Sequence, residues 1–161
     1  MQLFLDNDGV LADFDAHCRT LFGKSPKELG DETLWRLVNQ DREGFWSNIP
    51  MKDGADELFE VAAPHNPIVL TGCPRNGSDR TEICPVASEH KKLWVAKYFG
   101  DHVPVITCFS RDKPSHMTQS QDILVDDTYI NIKRWRDSGG IGIFYRDVDQ
   151  AIHDLKKKLK Q

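Results

Sequence analysis

Five short apolar runs alternate along the chain with longer segments whose apolar residues recur at helical spacing. The apolar runs are residues 3–5, 67–71, 103–108, 122–127 and 141–145, and the helix-like segments after or between them are 11–22, 55–63, 86–99, 129–137 and 147–160. Strands that alternate with helices are typical of a parallel sheet with right-handed crossover connections. The sequence therefore predicts an α/β fold with a five-stranded parallel sheet flanked by helices.

Polar residues stand at the carboxyl ends of four of these runs. They are Asp6 and Asp8 after the first run, Thr71 at the end of the second, Arg111 and Lys113 after the third, and Asp126 and Asp127 at the end of the fourth. Because the carboxyl ends of parallel strands share one edge of the sheet, we expect these side chains to lie close together. Four carboxylates at one edge repel each other unless a cation compensates them, and oxygen ligands favour Mg²⁺.

The same residue types suit the hydrolysis of a phosphate monoester. A carboxylate can attack phosphorus and divide the reaction into two steps through an aspartyl-phosphate, while a second carboxyl protonates the leaving oxygen. Asp6 and Asp8 fit these two roles. The hydroxyl of Thr71 and the ammonium of Lys113 are suitable donors to a phosphate.

Residues 23–50 interrupt the alternation of strands and helices. This stretch is charged, contains tryptophan and has two helix-like pieces, at 26–39 and 42–48, without a strand pattern. We expect residues 1–22 and 51–161 to form the α/β core and residues 23–50 to form a small helical cap inserted after the first strand and helix. An insertion at this point would hang over the carboxyl ends of the strands, where a lid would lie.

The composition excludes some classes of protein. At 161 residues the chain predicts one domain with a small insertion, and its net charge of −4 argues against a protein that coats long nucleic acid. The four cysteines are scattered, and no apolar run approaches the roughly 18 residues of a membrane span. We expect a cytoplasmic protein with reduced thiols, in monomeric or homodimeric form.

Four ordered stretches resemble the signatures of the haloacid dehalogenase (HAD) superfamily, namely residues 6–14 (DNDGVLADF), 68–71 (IVLT), 110–113 (SRDK) and 123–127 (ILVDD). Within the superfamily the chain is most similar to the 5'(3')-deoxyribonucleotidase group, which residues 45–50 (FWSNIP), 53–55 (DGA) and 91–100 (KKLWVAKYFG) also resemble. The resemblance implies a Rossmann-like core with a small cap. Residues 23–44 and the loop from 73 to 84, which contains Arg75 and Arg80, depart from the pattern of the group.

The resemblance also implies roles for single residues. Asp6 would be the nucleophile, Asp8 the acid and base, and Mg²⁺ would be held by Asp6, the Asp8 backbone carbonyl and Asp127, with Asp126 supporting these ligands. The expected substrate contacts are Thr71, Gly72 and Lys113 at the phosphate, Lys91 and Arg111 at the rest of the substrate, and Phe14, Trp35, Phe45 and Trp46 as aromatic walls. Aromatic residues in a small helical insertion also serve to fill its own core, so the alternative role for these four is packing.

The leading hypothesis is a Mg²⁺-dependent phosphomonoester hydrolase that acts on a small phosphorylated substrate, with a (deoxy)nucleoside monophosphate as the expected compound. Other small phosphorylated metabolites and the phosphorylated ends of nucleic acids are alternatives within the same chemistry. A phosphoacceptor signalling domain and a nucleotide-binding protein without turnover are alternatives of other classes. The second carboxylate, Asp8, and the inserted segment argue against the signalling domain.

Overall fold

A computed structural model of the chain describes residues 1–76 and 81–160. Arg80, which the sequence places in the loop after the second strand, lies outside the described residues. The described residues form five strands and eight α-helices, in the order β1 (Leu3–Leu5), α1 (Phe14–Phe22), α2 (Pro26–Leu29), α3 (Asp31–Val38), α4 (Arg42–Ser47), α5 (Ala55–Ala62), β2 (Ile68–Gly72), α6 (Pro85–Phe99), β3 (Val105–Cys108), β4 (Ile123–Asp126), α7 (Tyr129–Asp137), β5 (Ile141–Phe144) and α8 (Val148–Leu159). Two 3-10 helices span Ala63–His65 and Ser110–His116.

All five strands belong to one parallel sheet in the order β3-β2-β1-β4-β5. The first strand lies at the centre, with Leu5 paired to Val69 of β2 on one side and to Val125 of β4 on the other. This sheet with its flanking helices is the α/β, Rossmann-like fold that the sequence predicts.

The central strand places side chains on both faces of the sheet. Leu3 and Leu5 belong to a large hydrophobic cluster on one face, whereas Phe4 belongs to a second cluster on the other face. Since successive strand residues point to opposite faces, this short apolar run must be buried on both sides. On the second face the Phe4 ring meets the Trp135 ring of α7 edge to face, with centroids 5.3 Å apart.

The structure corrects several predicted element bounds. The predicted helix at 11–22 begins only at Phe14, because residues 7–12 turn and Asp13 caps the helix by accepting a hydrogen bond from Ala16 N–H. The third strand begins at Val105 rather than at residue 103, since Pro104 has no N–H for the strand ladder. The predicted helix at 26–39 is two helices, because Gly30 lies between them at φ 72° and ψ 157°.

The inserted segment is helical and packs on the rest of the protein. Its buried apolar residues belong to the same hydrophobic cluster as residues of the strands and of α6, and they are Leu34, Val38, Phe45, Trp46 and Ile49. The indole N–H of Trp94 in α6 also donates a hydrogen bond to the carbonyl of Ile49, at 2.7 Å. The division into a core and a cap at residues 23–50 stays a prediction. Among the described helices, none has both the length and the apolar character that a membrane crossing requires.

Asp122 joins the start of the chain to the segment that precedes β4. Its buried carboxylate accepts hydrogen bonds from the N–H of Gln2, from the N–H and hydroxyl of Thr118, and from the N–H of Gln119. Burial alone would raise the pKa of Asp122, but the hydrogen bonds from Gln2 and Thr118 hold it below its ordinary value. The ionised carboxylate therefore stabilises the fold.

Replacing Asp122 with Asn is expected to lower the free energy of unfolding at pH 7 by about 1–3 kcal/mol, because the amide offers only one accepting oxygen to these donors. The folded pKa of Asp122 lies below the ordinary value of 3.8, so this stabilisation is present above that value and is lost as the pH falls through the folded pKa. The difference between the parent and Asp122→Asn should shrink below about pH 4. Urea unfolding followed by tryptophan fluorescence at several pH values measures this difference.

Asp137→Asn is the matched control for the Asp122 variant. Asp137 pairs with Lys133 at 2.6 Å, but both side chains are more than half exposed, so we expect a loss below about 0.5 kcal/mol. An Asp122→Asn protein as stable as the Asp137→Asn protein at pH 7 would show that the buried hydrogen bonds contribute nothing.

Candidate active site

A cavity of about 450 Å³ opens at the carboxyl ends of the strands. Asp6 directly follows β1, Thr71 and Gly72 end β2, and Asp126 ends β4. Since β1 lies between β2 and β4, these residues stand side by side at one edge of the sheet. The amide of Asp6 extends the pairing with β4 by donating to the carbonyl of Val125 at 2.9 Å.

The loop after β1 turns Asp8 back toward this edge. The carbonyl of Asn7 accepts a hydrogen bond from Ala12 N–H, and Gly9 N–H donates to the carbonyl of Ala12, each at 2.8 Å. Gly9 has a φ of 81°, a conformation that favours glycine. A Cβ atom at Gly9 would lie 1.9 Å from Oδ2 of Asp127, so the missing side chain also makes room for that carboxylate.

Asp6 and Lys113 form the buried centre of the site. Nζ of Lys113 lies 2.9 Å from Oδ1 of Asp6 and 2.6 Å from Oδ2 of Asp126, and the lysine is only 1% exposed. Burial raises the pKa of Asp6 to about 8; Lys113 opposes this rise, and the Asp126 carboxylate adds to it. Burial alone would lower the pKa of Lys113, but Asp6 and Asp126 raise it above its ordinary value. Lys113 therefore stays protonated between the two carboxylates.

Asp126 is held entirely from the protein side. Its Oδ1 accepts from the N–H of Thr128 at 2.7 Å, its Oδ2 accepts from Lys113, and the amide of Asn131 reaches both oxygens at 3.1 and 3.3 Å. Oxygens of Asp126, Asp6 and Asp127 come within 4.8 Å of one another, so the three can surround a metal ion. The donors on both oxygens of Asp126 suit it to support that site rather than to bind the ion directly.

Asp127 faces the cavity beside Gly9 and Thr128. Desolvation raises the pKa of Asp127 to about 6, and the neighbouring Asp126 carboxylate adds to the rise. The pKa values of Asp127 and Asp6 are both raised first by desolvation, and neighbouring carboxylates at the same strand edge raise them further. A bound cation would favour the ionised form of both.

Lys91 reaches the site from α6 and is 1% exposed. Its ammonium contacts Oδ2 of Asp8, donates to Oγ1 of Thr71 at 3.1 Å, and donates to the carbonyl of Gly72 at 2.6 Å. It also lies 4.8 Å from the centroid of the Trp46 ring. A lysine has three N–H donors, and these contacts use all three. The structure thus places Lys91 against Asp8, whereas the sequence suggested a substrate contact.

The predicted residues divide into those that line the cavity and those that lie behind them. Asp6, Asp8, Gly72 and Asp127 line it, whereas Thr71, Lys91, Lys113 and Asp126 contact these residues or one another from the protein interior. Thr71 is fully buried, and its hydroxyl accepts from Lys91. The expected phosphate contact of Thr71 therefore stays a prediction.

Three of the four predicted aromatic walls line the cavity. These are Phe14, Trp35 and Trp46. Phe45 lies behind them, 2% exposed, with its ring edge to face against Phe14 and Trp46 and stacked on Phe22. Phe45 thus occupies the packing role that the sequence left as the alternative.

Arg111 lies outside this cavity. Its side chain is 60% exposed, and it is paired with Asp112 at 3.4 Å. It borders an adjacent cavity of about 640 Å³, which Trp35 also lines.

Sequence reasoning missed several residues that the structure brings to the site. Those that line the cavity are Asp15, Lys27, Lys52, Ser110, Thr128 and Asn131. Two of them had a signal in the sequence. Ser110 immediately precedes Arg111 after the third strand, so its position at a strand end was readable. In the structure a Cβ atom at Gly72 would lie 2.2 Å from Oγ of Ser110. Asn131 lies one turn before Trp135, on the buried face of α7.

Comparison with known proteins supports the fold assignment. No protein-family model matches the chain, and no curated protein matches its sequence. A HAD-superfamily hydrolase from Ehrlichia chaffeensis has a similar structure, with a TM-score of 0.57 and 11% identity over 98% of this chain and 97% of that chain. A hydrolase from Streptococcus pneumoniae TIGR4 gives a TM-score of 0.50 and 13% identity, over 99% and 98% of the two chains. The chain therefore has the α/β fold of these two hydrolases along nearly its whole length.

Proposed function

We propose that the protein is a Mg²⁺-dependent phosphomonoester hydrolase in which Asp6 is the nucleophile. The observation that carries the proposal is the Asp6 carboxylate, buried at the strand edge, held by Lys113 and accompanied in the cavity wall by Asp8 and Asp127. The fold that the chain shares with the HAD-superfamily hydrolase from Ehrlichia chaffeensis and with the hydrolase from Streptococcus pneumoniae supports a phosphatase-type reaction.

The charge of the site fits a divalent cation. Four carboxylates and two ammonium groups lie in mutual contact or at the same strand edge, namely Asp6, Asp8, Asp126 and Asp127 with Lys91 and Lys113. Their formal charges leave an excess of two negative charges, which one Mg²⁺ ion balances. The space beside Gly9 admits the carboxylate of Asp127, and carboxylate oxygens are the ligands that Mg²⁺ prefers.

Asp6, Asp127 and the backbone carbonyl of Asp8 would hold the ion. When bound, Mg²⁺ offsets negative charge on the transferring phosphoryl group. Lys113 does the same from the protein interior and keeps the Asp6 carboxylate in place through Oδ1. Asp126 holds Lys113 in turn, at 2.6 Å.

In the first step Asp6 attacks the phosphorus atom. Oδ1 of Asp6 already accepts from Lys113 and from Asn7 N–H, so we assign the attack to Oδ2. The bond from Oδ2 to phosphorus forms while the bond from phosphorus to the leaving oxygen breaks. For this step Asp8 must first take up a proton from solvent; it then donates the proton to that oxygen, and the alcohol leaves.

In the second step water attacks the phosphorus of the aspartyl-phosphate. Asp8, now a carboxylate, accepts the proton of this water. The bond between phosphorus and Oδ2 of Asp6 breaks, and inorganic phosphate leaves. Lys91 contacts Oδ2 of Asp8 and positions it for both transfers, and Thr71 and Gly72 fix Lys91 in turn.

The walls of the cavity suit a nucleoside monophosphate. Trp46 lines the cavity but is only 2% exposed, whereas Phe14 of α1 and Trp35 of α3 are half-buried and offer their rings to the cavity. A volume of about 450 Å³ lies within the range of small-molecule sites. A nucleobase can stack on such rings while the phosphate lies at Asp6, which supports the (deoxy)nucleotidase activity within the proposal.

Asp6→Asn is expected to abolish phosphate release, because the amide cannot form the aspartyl-phosphate. Asp8→Asn is expected to lower kcat by about 10²–10⁴-fold through loss of proton transfer. Phosphate release from nucleoside 5'- and 3'-monophosphates and sugar phosphates, with Mg²⁺ or with EDTA, measures both effects. Intact mass spectrometry of the Asp8→Asn protein after quenching should show one added phosphoryl group. Turnover by Asp6→Asn at the parent rate would exclude Asp6 as the nucleophile.

Gly9→Ala and Gly23→Ala separate the metal site from backbone strain. Gly9 and Gly23 have φ values of 81° and 71°, so both variants carry a strain of about 1 kcal/mol. Only the methyl at residue 9 meets Asp127, since a Cβ at residue 23 would have nothing of the described residues within 4 Å apart from its own chain neighbours. We expect Mg²⁺ to raise the Tm of the parent and of Gly23→Ala but not that of Gly9→Ala. An equal Mg²⁺ shift in both variants would place the ion elsewhere.

Lys91→Met tests whether the contact with Lys91 positions Asp8 for proton transfer. Lys92→Met, at the next residue, is the control. Lys91 is buried against Asp8, whereas Lys92 is exposed. We expect Lys91→Met to reduce kcat/KM at least tenfold, or about 1.4 kcal/mol, and Lys92→Met to leave it within about twofold of the parent. Circular dichroism checks that both variants fold. Equal kinetics for the two variants would remove Lys91 from the mechanism.

A further inference from the structure

A second cavity of about 640 Å³ adjoins the proposed active site. The two cavities share three lining residues, Trp35, Cys73 and Pro74. A ligand that fills the first cavity can therefore extend past these residues into the second. Burial raises the pKa of Cys73 to about 11, so the thiol between the cavities is neutral at pH 7 and does not repel an anion.

Two arginines line the second cavity, one from the chain before β3 and one from the chain after it. Arg75 follows β2, and Arg111 belongs to the 3-10 helix after β3. The guanidinium carbons of Arg75 and Arg111 lie 5.8 and 5.3 Å from the centroid of the same phenyl ring, that of Phe109. Both cations therefore lie at one wall of the cavity, since a guanidinium is attracted to an aromatic face.

The charge of this wall selects an anion. Besides the two arginines, Asp31 of α3 borders the cavity, and Arg111 also has an exposed pair with Asp112 at 3.4 Å. An exposed pair of this kind contributes little and is easily exchanged. Guanidinium groups present paired N–H donors that match phosphate oxygens, and a phosphate monoester offers three such oxygens.

We infer that the second cavity is a subsite for a second phosphoryl group on the leaving group of the substrate. The preferred substrate class is then a bisphosphate, with one phosphate at Asp6 and the other at Arg75 and Arg111. Trp35 lines both cavities and packs against the part of the substrate that joins the two phosphates. This inference rests on the proposed function, because the first phosphate is the one that is hydrolysed.

The test compares adenosine 5'-monophosphate with adenosine 3',5'-bisphosphate, and fructose 6-phosphate with fructose 1,6-bisphosphate. For the parent, and in one of the two pairs, we expect the ratio of kcat/KM for the bisphosphate to kcat/KM for the monophosphate to be about ten or more. Arg75→Gln and Arg111→Gln should each lower this ratio about five- to tenfold. Arg134→Gln removes an exposed charge of α7 outside both cavities and should leave the ratio unchanged.

The possible outcomes distinguish a failure of the proposed subsite from a failure of the proposed reaction. Hydrolysis of monophosphates with a ratio near one, or with a ratio that neither arginine variant changes, overturns the subsite and leaves the proposed function standing. If the parent hydrolyses none of the four compounds, calorimetric titration of the same compounds in EDTA decides. If the parent binds a bisphosphate more tightly than its monophosphate and both arginine variants abolish this difference, the subsite is supported. The lack of hydrolysis then contradicts the proposed reaction and not the subsite. Equal binding of the members of each pair overturns the subsite.

Discussion

The contact of one buried lysine with two buried carboxylates is the interaction on which the candidate site depends. Lys113 belongs to the 3-10 helix after β3, whereas Asp6 directly follows β1 and Asp126 ends β4. Removing one partner of a buried ion pair costs about 3–5 kcal/mol, against a total stability of about 5–15 kcal/mol for a domain. A shift of β4 by one residue would turn Asp126 to the other face of the sheet. The charges therefore stabilise only the strand register that brings them together.

Two lysines hold the two carboxylates of the first loop, and they come from different parts of the fold. Lys113 contacts Asp6, and Lys91 of α6 contacts Asp8. Both ammonium groups are buried, and the oxygens that they contact replace the water that each group loses on burial. Asp6 and Asp8 are two residues apart and would repel each other in a flexible loop. The lysines and the turn at Gly9 fix them at one cavity in different surroundings, and the proposed function uses this difference to assign attack to Asp6 and proton transfer to Asp8.

The sheet and its strand-end residues could be predicted because apolar runs and turn residues are local signals. Residues whose roles depend on tertiary packing were harder. Lys91 shares a helix face with Trp94 and Val95, so its burial had a signal, but its partner, Asp8, is 83 residues away in the chain. Phe45 could not be distinguished from a cavity wall, because its burial depends on how α1 and α4 pack. The break at Gly30 was missed for a related reason, since a glycine inside a helical pattern does not by itself end a helix.

The proposed reaction and its selectivity have different structural origins. The reacting carboxylates stand at strand ends, whose positions the hydrogen-bonded sheet fixes. Away from these carboxylates, the walls of the cavities come largely from α1, the inserted helices and the loops after β2 and β3, which no strand register constrains. The chain carries a net charge of −4, so a phosphate ester approaches a protein that repels it overall. The cations that line the cavities, Lys27 and Lys52 in one and Arg75 and Arg111 in the other, provide local attraction at short range, where screening by salt is weakest. Substitutions among these four residues can change which phosphate esters enter while the carboxylates at the strand ends stay in place.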